Sequence, residues 1–289
     1  MDNTYTYSMF YIIHYPLSAI HYPLSINHSI STLSIKISLK TLFNKTLFQK
    51  MKKLAILFLF ATLALTSQAQ TADEIVGKYL KAIGGAENWK KLDAQSMSGY
   101  VVVQGMNIPY TATQARPNLM YSAGEFQGQK FIDAFDGTVA WTQNPFAGMA
   151  KPTKKDKEET EQAAKEPFED DLIDYATKGH TLELDPKTEE MDGVKCYKLT
   201  MKRKQGDEKV YFIDGENYIT VCVRSFAQTG PAKGQAVETY LSDYKEEQGL
   251  MMPHTLETKM GGQTVVTIKM EKVEINPTID KKIFSFPEN

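Results

Sequence analysis

The chain has 289 residues, and six of its 33 basic residues but only one of its 35 acidic residues lie before residue 70. Beyond that point the net charge is about −7, with no basic stripe, which makes nucleic acid or an anionic membrane surface a poor partner. The remaining stretch of some 220 residues fits one domain with a sizeable core, especially an all-β one.

Residues 1–50 read as sequence never selected to fold. Asp2 is their only acid, and Ile-His-Tyr-Pro-Leu-Ser occurs at 13–18 and again at 20–25. Lys-Thr-Leu-Phe occurs at 40–43 and 45–48. Such duplications suit translated AT-rich upstream DNA and a start assigned too early; a genuine disordered extension is the alternative. Met51 begins a better start. Lys52 and Lys53 precede an unbroken apolar run, Leu54–Leu65, and Ser67-Gln68-Ala69 is a small-x-small cleavage site. The run is shorter than the roughly 20 residues of a spanning helix, so 51–69 reads as a secretory signal peptide. No cysteine follows it that could carry an N-terminal lipid. One domain is therefore expected over 70–289, exported to the periplasm without a lipid anchor.

Thr71-Ala72-Asp73-Glu74 is a capping box. Ile75, Val76, Tyr79, Leu80 and Ile83 fall on one helical face, and Gly84-Gly85 ends the helix. A short turn, 86–92, carries Trp89. From Ser96 the period switches to two, with extended segments at 96–104, 108–115, 118–126, 129–135 and 138–143. Pro117 bars Arg116 from helix. Asp136-Gly137 supplies a tight hairpin turn, and Asn144-Pro145-Phe146 stops the return strand that holds Trp141. The stretch 152–178 interrupts the sheet. It should contribute helical cover at 155–176, with Phe168, Leu172, Ile173 and Tyr175 inward and Glu169, Asp170, Asp171 and Asp174 on a solvated face. A meander then runs to residue 275 with turns at Asp192-Gly193, Asp214-Gly215 and Gly261-Gly262. The turn chemistry leaves no room for crossover helices, so the sheet is antiparallel.

No HExxH, GxSxG, phosphate-binding glycine loop or CxxC occurs beyond residue 70. His180 and His254 are its two histidines, and His254 reads as a core residue. Cys196 and Cys222 fall on the polar face of strands flanking 208–213. Next-but-one strands lie roughly 9.5 Å apart, beyond the ~7 Å reach of a disulfide. No metal, cofactor or catalytic set is expected.

The order Arg116-Pro117-Asn118-Leu119, followed by D-G-x-x-x-W-x-x-N-P-F over 136–146, resembles the periplasmic lipoprotein carriers of the LolA type. The Pro-Phe-x-x-x-Leu-Ile pattern from Pro167 and N-P-x-I-D-x-x-x-F-S-F-P over 276–287 resemble them as well. That resemblance implies mainly β with α: a strongly curved antiparallel half-barrel of about eleven strands under a helical lid. It implies a cavity for acyl chains where composition alone favours an ordinary packed sandwich. It also implies that Arg116 latches the lid's backbone carbonyls in the empty form; the alternative is a surface arginine at a strand edge. Residues that could line the cavity are Trp89, Phe131, Trp141, Phe146, Phe168 and Leu172, then Tyr197, Leu199, Met201, Val221 and Val223, and finally Met252, Leu256, Met260 and Ile268. The implied partners are a lipoprotein or lipid cargo, an inner-membrane donor and an outer-membrane acceptor, for a chain expected to be monomeric. A sensor on the same fold and a secreted enzyme are the competing classes.

Overall fold

The computed structural model describes residues 70–103, 105–229 and 232–288. The expectations for residues 1–50 and for the signal peptide lie outside them.

Helix α1, Ala72–Ala82, starts at the capping box read from the sequence. Thr71 Oγ1 accepts from Glu74 N at 3.2 Å, and Glu74 Oε2 accepts from Thr71 N at 3.1 Å. Gly84 ends it with φ +103°, and a Cβ there would lie 2.1 Å from the Gly249 carbonyl oxygen. Only glycine lets the helix end approach that turn so closely. Helix α2, Ala86–Lys90, follows at once.

Among the described residues, fourteen strands form one antiparallel sheet. The first meander comprises β1 (Ala94–Val103), β2 (Met106–Ala115), β3 (Leu119–Phe126), β4 (Gln129–Phe135), β5 (Ala140–Asn144) and β6 (Met149–Lys154). Helix α3, Lys157–Lys165, separates it from the second. That one comprises β7 (Thr181–Leu184), β8 (Glu189–Met191), β9 (Val194–Lys202), β10 (Glu208–Asp214) and β11 (Thr220–Phe226), then β12 (Ala236–Glu247), β13 (Leu250–Met260) and β14 (Gln263–Ile275). The strand order is β6-β5-β4-β3-β2-β1-β14-β13-β12-β11-β10-β9-β7, with β8 also on β9. The pairing of β1 with β14 fuses the two meanders, and the far edges do not meet, leaving a half-barrel.

The sequence reading expected about eleven strands and missed β6. That edge strand holds Lys151, Pro152 and Lys154, residues that blunt an edge against further pairing but score as loop. Only the first half of 155–176 is helical. Residues 166–179 run as bends and turns, with Asp170 Oδ1 accepting from Leu172 N at 2.8 Å, a local bond that competes with helix.

Helix α1 lies on the inner face of β9 and β10, where Ile75, Val76 and Tyr79 pack with Leu199, Met201 and Ile213. Leu172 completes that cluster. The outer face has two smaller clusters. Phe284 of the C-terminal segment covers Ala94 and Ala115, while Cys196 and Cys222 pack around Phe212. The cysteines are free, on strands flanking β10 as expected. They are nevertheless completely buried, which corrects their assignment to a polar face.

Candidate functional site: an arginine-held strap over two cavities

Arg116 leaves the end of β2 beside α2, with its backbone N–H on the Asp93 carbonyl at 2.9 Å. Its Nε donates to the Leu92 carbonyl at 2.9 Å and its Nη2 to the Trp89 carbonyl at 3.2 Å. Carbonyls at and just beyond a helix C-terminus lack intrahelical donors, so a guanidinium fork is a natural partner for them. Nη2 also meets Glu169 Oε1 at 2.9 Å, and the Phe168 ring centroid lies 5.5 Å from Cζ. One arginine thus ties α2 to the strap formed by residues 166–176.

Of the strap's acids expected on a solvated face, Asp174 is exposed, whereas Glu169, Asp170 and Asp171 turn inward. Glu169 is shared between Arg116 and Lys178, the latter at 2.9 Å. Burial pushes its pKa up, but hydrogen bonds from Lys178 and Arg116 outweigh this and hold it below the ordinary value. Asp171 Oδ2 accepts from Lys209 Nζ at 2.9 Å, with Arg203 Nη1 at 3.4 Å. The Arg203 side chain is wholly buried and also pairs with Glu166 at 2.7 Å and Asp207 at 2.5 Å. A carboxylate-rich segment can lie against the sheet because nearly every acid meets a cation there. His180 sits beside this cluster, its Nδ1 accepting from Lys204 N at 3.0 Å. His254 is a core residue, with Nδ1 3.0 Å from the Met270 carbonyl.

Two cavities lie under these elements. The larger, about 460 Å³, is apolar and sits on the inner face of β1–β3, β13 and β14. Met97, Ala112, Met120, Met252, Leu256 and Ile268 line most of it. Gln95 and Gln114 are among its few polar lining groups, joined by a 2.7 Å hydrogen bond. The smaller, about 310 Å³, lies between the strap and β10–β13. It has a mixed lining that includes Asp170, Asp171, Lys209, Tyr211 and Tyr244. Trp89 and Pro253 line both cavities and so form their common wall. The Trp89 indole N–H is fixed on the Ile83 carbonyl at 2.8 Å.

Among solved structures the chain is similar to a DUF1329 family protein from Desulfovibrio piger, with a TM-score of 0.51 at 8% identity. The match covers 75% of this chain and 98% of that one. The two share a fold. A LolA superfamily protein from Nitrosomonas europaea also matches at 12% identity and TM-score 0.48, over 75% of this chain and 98% of its own. No family model and no curated protein matches the chain.

Within this fold, four of the residues read as cavity lining converge on the apolar cavity: Trp89, Met252, Leu256 and Ile268. Phe168 and Val223 line the smaller one. Leu172, Leu199 and Met201 are buried under α1, and Tyr197 packs against the same cluster and stacks on Tyr218 at 6.0 Å. Phe131 lies across Gly124, where any Cβ would strike its ring at 2.1 Å. Met260 ends β13 opposite Gln263, outside both linings.

Three assignments are corrected. Trp141 points to the outer face, its indole N–H on the Phe284 carbonyl at 2.8 Å, because the C-terminal segment covers that side. Phe146 is 54% exposed at the β5–β6 turn and packs on Phe126 at 5.8 Å. Val221 packs with the outer cysteine cluster, since a register shift between Phe212 and Ile213 breaks its alternation with Val223. The reading also missed Met270, and Met97, Ala112 and Met120, which share a strand face at period two with Gln95, Gln114 and Ser122.

Proposed function

We propose that the protein is an envelope carrier that shields acyl chains of a lipid or lipoprotein and hands them on towards the outer membrane. The observation that carries this reading is the apolar cavity of about 460 Å³, within the size range of ligand sites. Each methylene buried there is worth roughly 0.8 kcal/mol, so one long acyl chain gains about 10 kcal/mol without directional contacts. Release then needs an opposing term. The bonds of Arg116 to Trp89, Leu92 and Glu169 provide one, regained each time the empty form closes. Residues 51–69 would direct the chain to the periplasm, with an inner-membrane donor and an outer-membrane acceptor, and the chain would act as a monomer.

Native mass spectrometry of protein purified from an envelope, followed by lipid extraction, tests the reading. An acyl-bearing species should accompany the wild-type protein and be lost from Ala112→Phe, which fills the cavity floor. Cargo-free wild-type protein, together with no uptake of added lipid, would sink the proposal.

A further inference from the structure

The apolar cavity explains what happens to a hydrocarbon chain but not to the polar end attached to it. The smaller cavity adjoins it across Trp89 and Pro253 and differs in chemistry. Four carboxylates contribute to its lining: Glu166, Glu169, Asp170 and Asp171. Glu166 and Asp171 share Lys209 and Arg203, and Glu169 lies between Arg116 and Lys178. Those three are therefore neutralised in place.

Asp170 is different. Its Oδ2 accepts from the Tyr79 hydroxyl and its Oδ1 from Leu172 N, both uncharged donors. Among the described residues its carboxylate forms no ion pair within 4.0 Å, although it is only partly buried and borders the cavity; Lys178 Nζ, paired with Glu169, reaches only its backbone carbonyl, at 2.8 Å. The single basic side chain in the lining, Lys209, is already held by two acids at 2.8 and 2.9 Å. The lining thus offers one carboxylate without an ion pair of its own, and its single basic side chain is already taken. Burial holds the Asp170 carboxyl above its usual range, a strain that an adjoining cation would relieve.

We infer that the smaller cavity is a headgroup site, and that it selects amphiphiles bearing an ammonium group through Asp170 while rejecting those bearing an anionic group. The inference rests on the carrier reading and adds to it the class of cargo. An ammonium at Asp170 gains a charge-assisted hydrogen bond in a partly dry setting, whereas a phosphate meets a like charge with no donor left to hold it. A neutral hydroxyl falls between, because Tyr244 and Thr220 already hydrogen-bond to each other across this wall.

The test uses three ligands of one chain length on the purified protein, each below its micellar concentration at neutral pH: decylamine, decanol and decyl phosphate. Calorimetric titration should place decylamine at least about tenfold tighter than decyl phosphate, with decanol between them. Asp170→Asn should erase the advantage of decylamine over decanol and leave decanol affinity unchanged. Equal affinities, or phosphate first, would overturn the headgroup assignment and leave the carrier reading intact; so would an amine advantage that survives Asp170→Asn. Should that variant fail to bind decanol too, the wild-type ranking alone decides. No binding of any of the three ligands would instead remove the carrier reading itself.

Discussion

The guanidinium of Arg116 and the carboxylate of Glu169, 53 residues apart in sequence, meet at 2.9 Å. That contact joins the end of β2 to the strap, while the same arginine holds the carbonyls of Trp89 and Leu92. Opening the strap must break the Glu169 contact, while the bonds to Trp89 and Leu92 can stay with α2; on the proposed carrier reading this makes Arg116 the place to separate cargo exchange from cargo binding.

Arg116→Leu should therefore load an acylated ligand at least as well as wild type but pass it on poorly. Charge-assisted bonds are worth roughly 1.5–3 kcal/mol each, and partial exposure of this arginine brings the expected stability loss to about 2 kcal/mol. Loading and transfer measured separately decide the matter. Transfer at the wild-type rate would remove the latch from the account and leave the cavity.

Two adjacent acids should give the strap opposite responses to pH. Glu169 is more acidic in the fold than its ordinary value of 4.5, despite burial, because Lys178 and Arg116 bind it. Its stabilisation is complete above that value and fades as pH falls through the lower folded one. Burial makes Asp170 less acidic than 3.8, so protonating it on acidification favours the fold. Asp170→Asn should then raise the melting temperature at neutral pH, while Glu169→Gln should lower it there and lose its effect as pH falls through the folded value of Glu169. Thermal melts of both variants from pH 3 to 7 check the pair, and a matching sign at neutral pH would contradict it.

Arg203 is the costliest side chain to remove from the strap's anchorage. Its guanidinium is fully enclosed and holds Glu166, Asp171 and Asp207. Arg203→Met should destabilise by about 3–5 kcal/mol, because it strips Asp207 of its cation and leaves buried Asp171 with Lys209 alone. Adding Asp171→Asn and Asp207→Asn should recover part of that loss in denaturant titrations. No recovery would mean that packing around the arginine, rather than stranded charge, sets the cost.

Burial pushes the Cys196 thiol up to about 11 and the Cys222 thiol up to about 12. At pH 8 both should stay unlabelled by a water-soluble maleimide for hours in native protein and react promptly once it is unfolded. Rapid labelling of the native protein would show that the outer cluster opens more readily than its packing implies.

Turn chemistry made the sheet legible. Asp136-Gly137, Asp192-Gly193 and Gly261-Gly262 each mark a junction that the structure uses, with Asp136 Oδ1 accepting from Thr138 N at 2.8 Å and Val139 N at 2.7 Å. Arg116 was legible through its neighbours in sequence. The cavity was only half so, because its floor on β1–β3 mixes Met97 and Met120 with Gln95, Ala112, Gln114 and Ser122. Small and amide side chains leave room without registering as apolar, so hydrophobic alternation points instead to the strands that α1 fills. The inward turn of the strap's acids was hidden for a related reason: their cations, Arg203 and Lys209, come from a hairpin distant in sequence.

The seam between β1 and β14 carries one more consequence, which concerns time. Asn276 Oδ1 receives the backbone N–H of Asp93 at 2.7 Å across 183 residues, and Gln95 pairs with Ile275 in the same ladder. The two meanders can each form from local hairpins, but the surface that joins them exists only once the last strand, β14, has been made. Loop closure over such a span is slow and brings no reward until its end. A nascent chain therefore stays without its central seam, threadable and dependent on whatever shields it, until its C-terminal residues emerge.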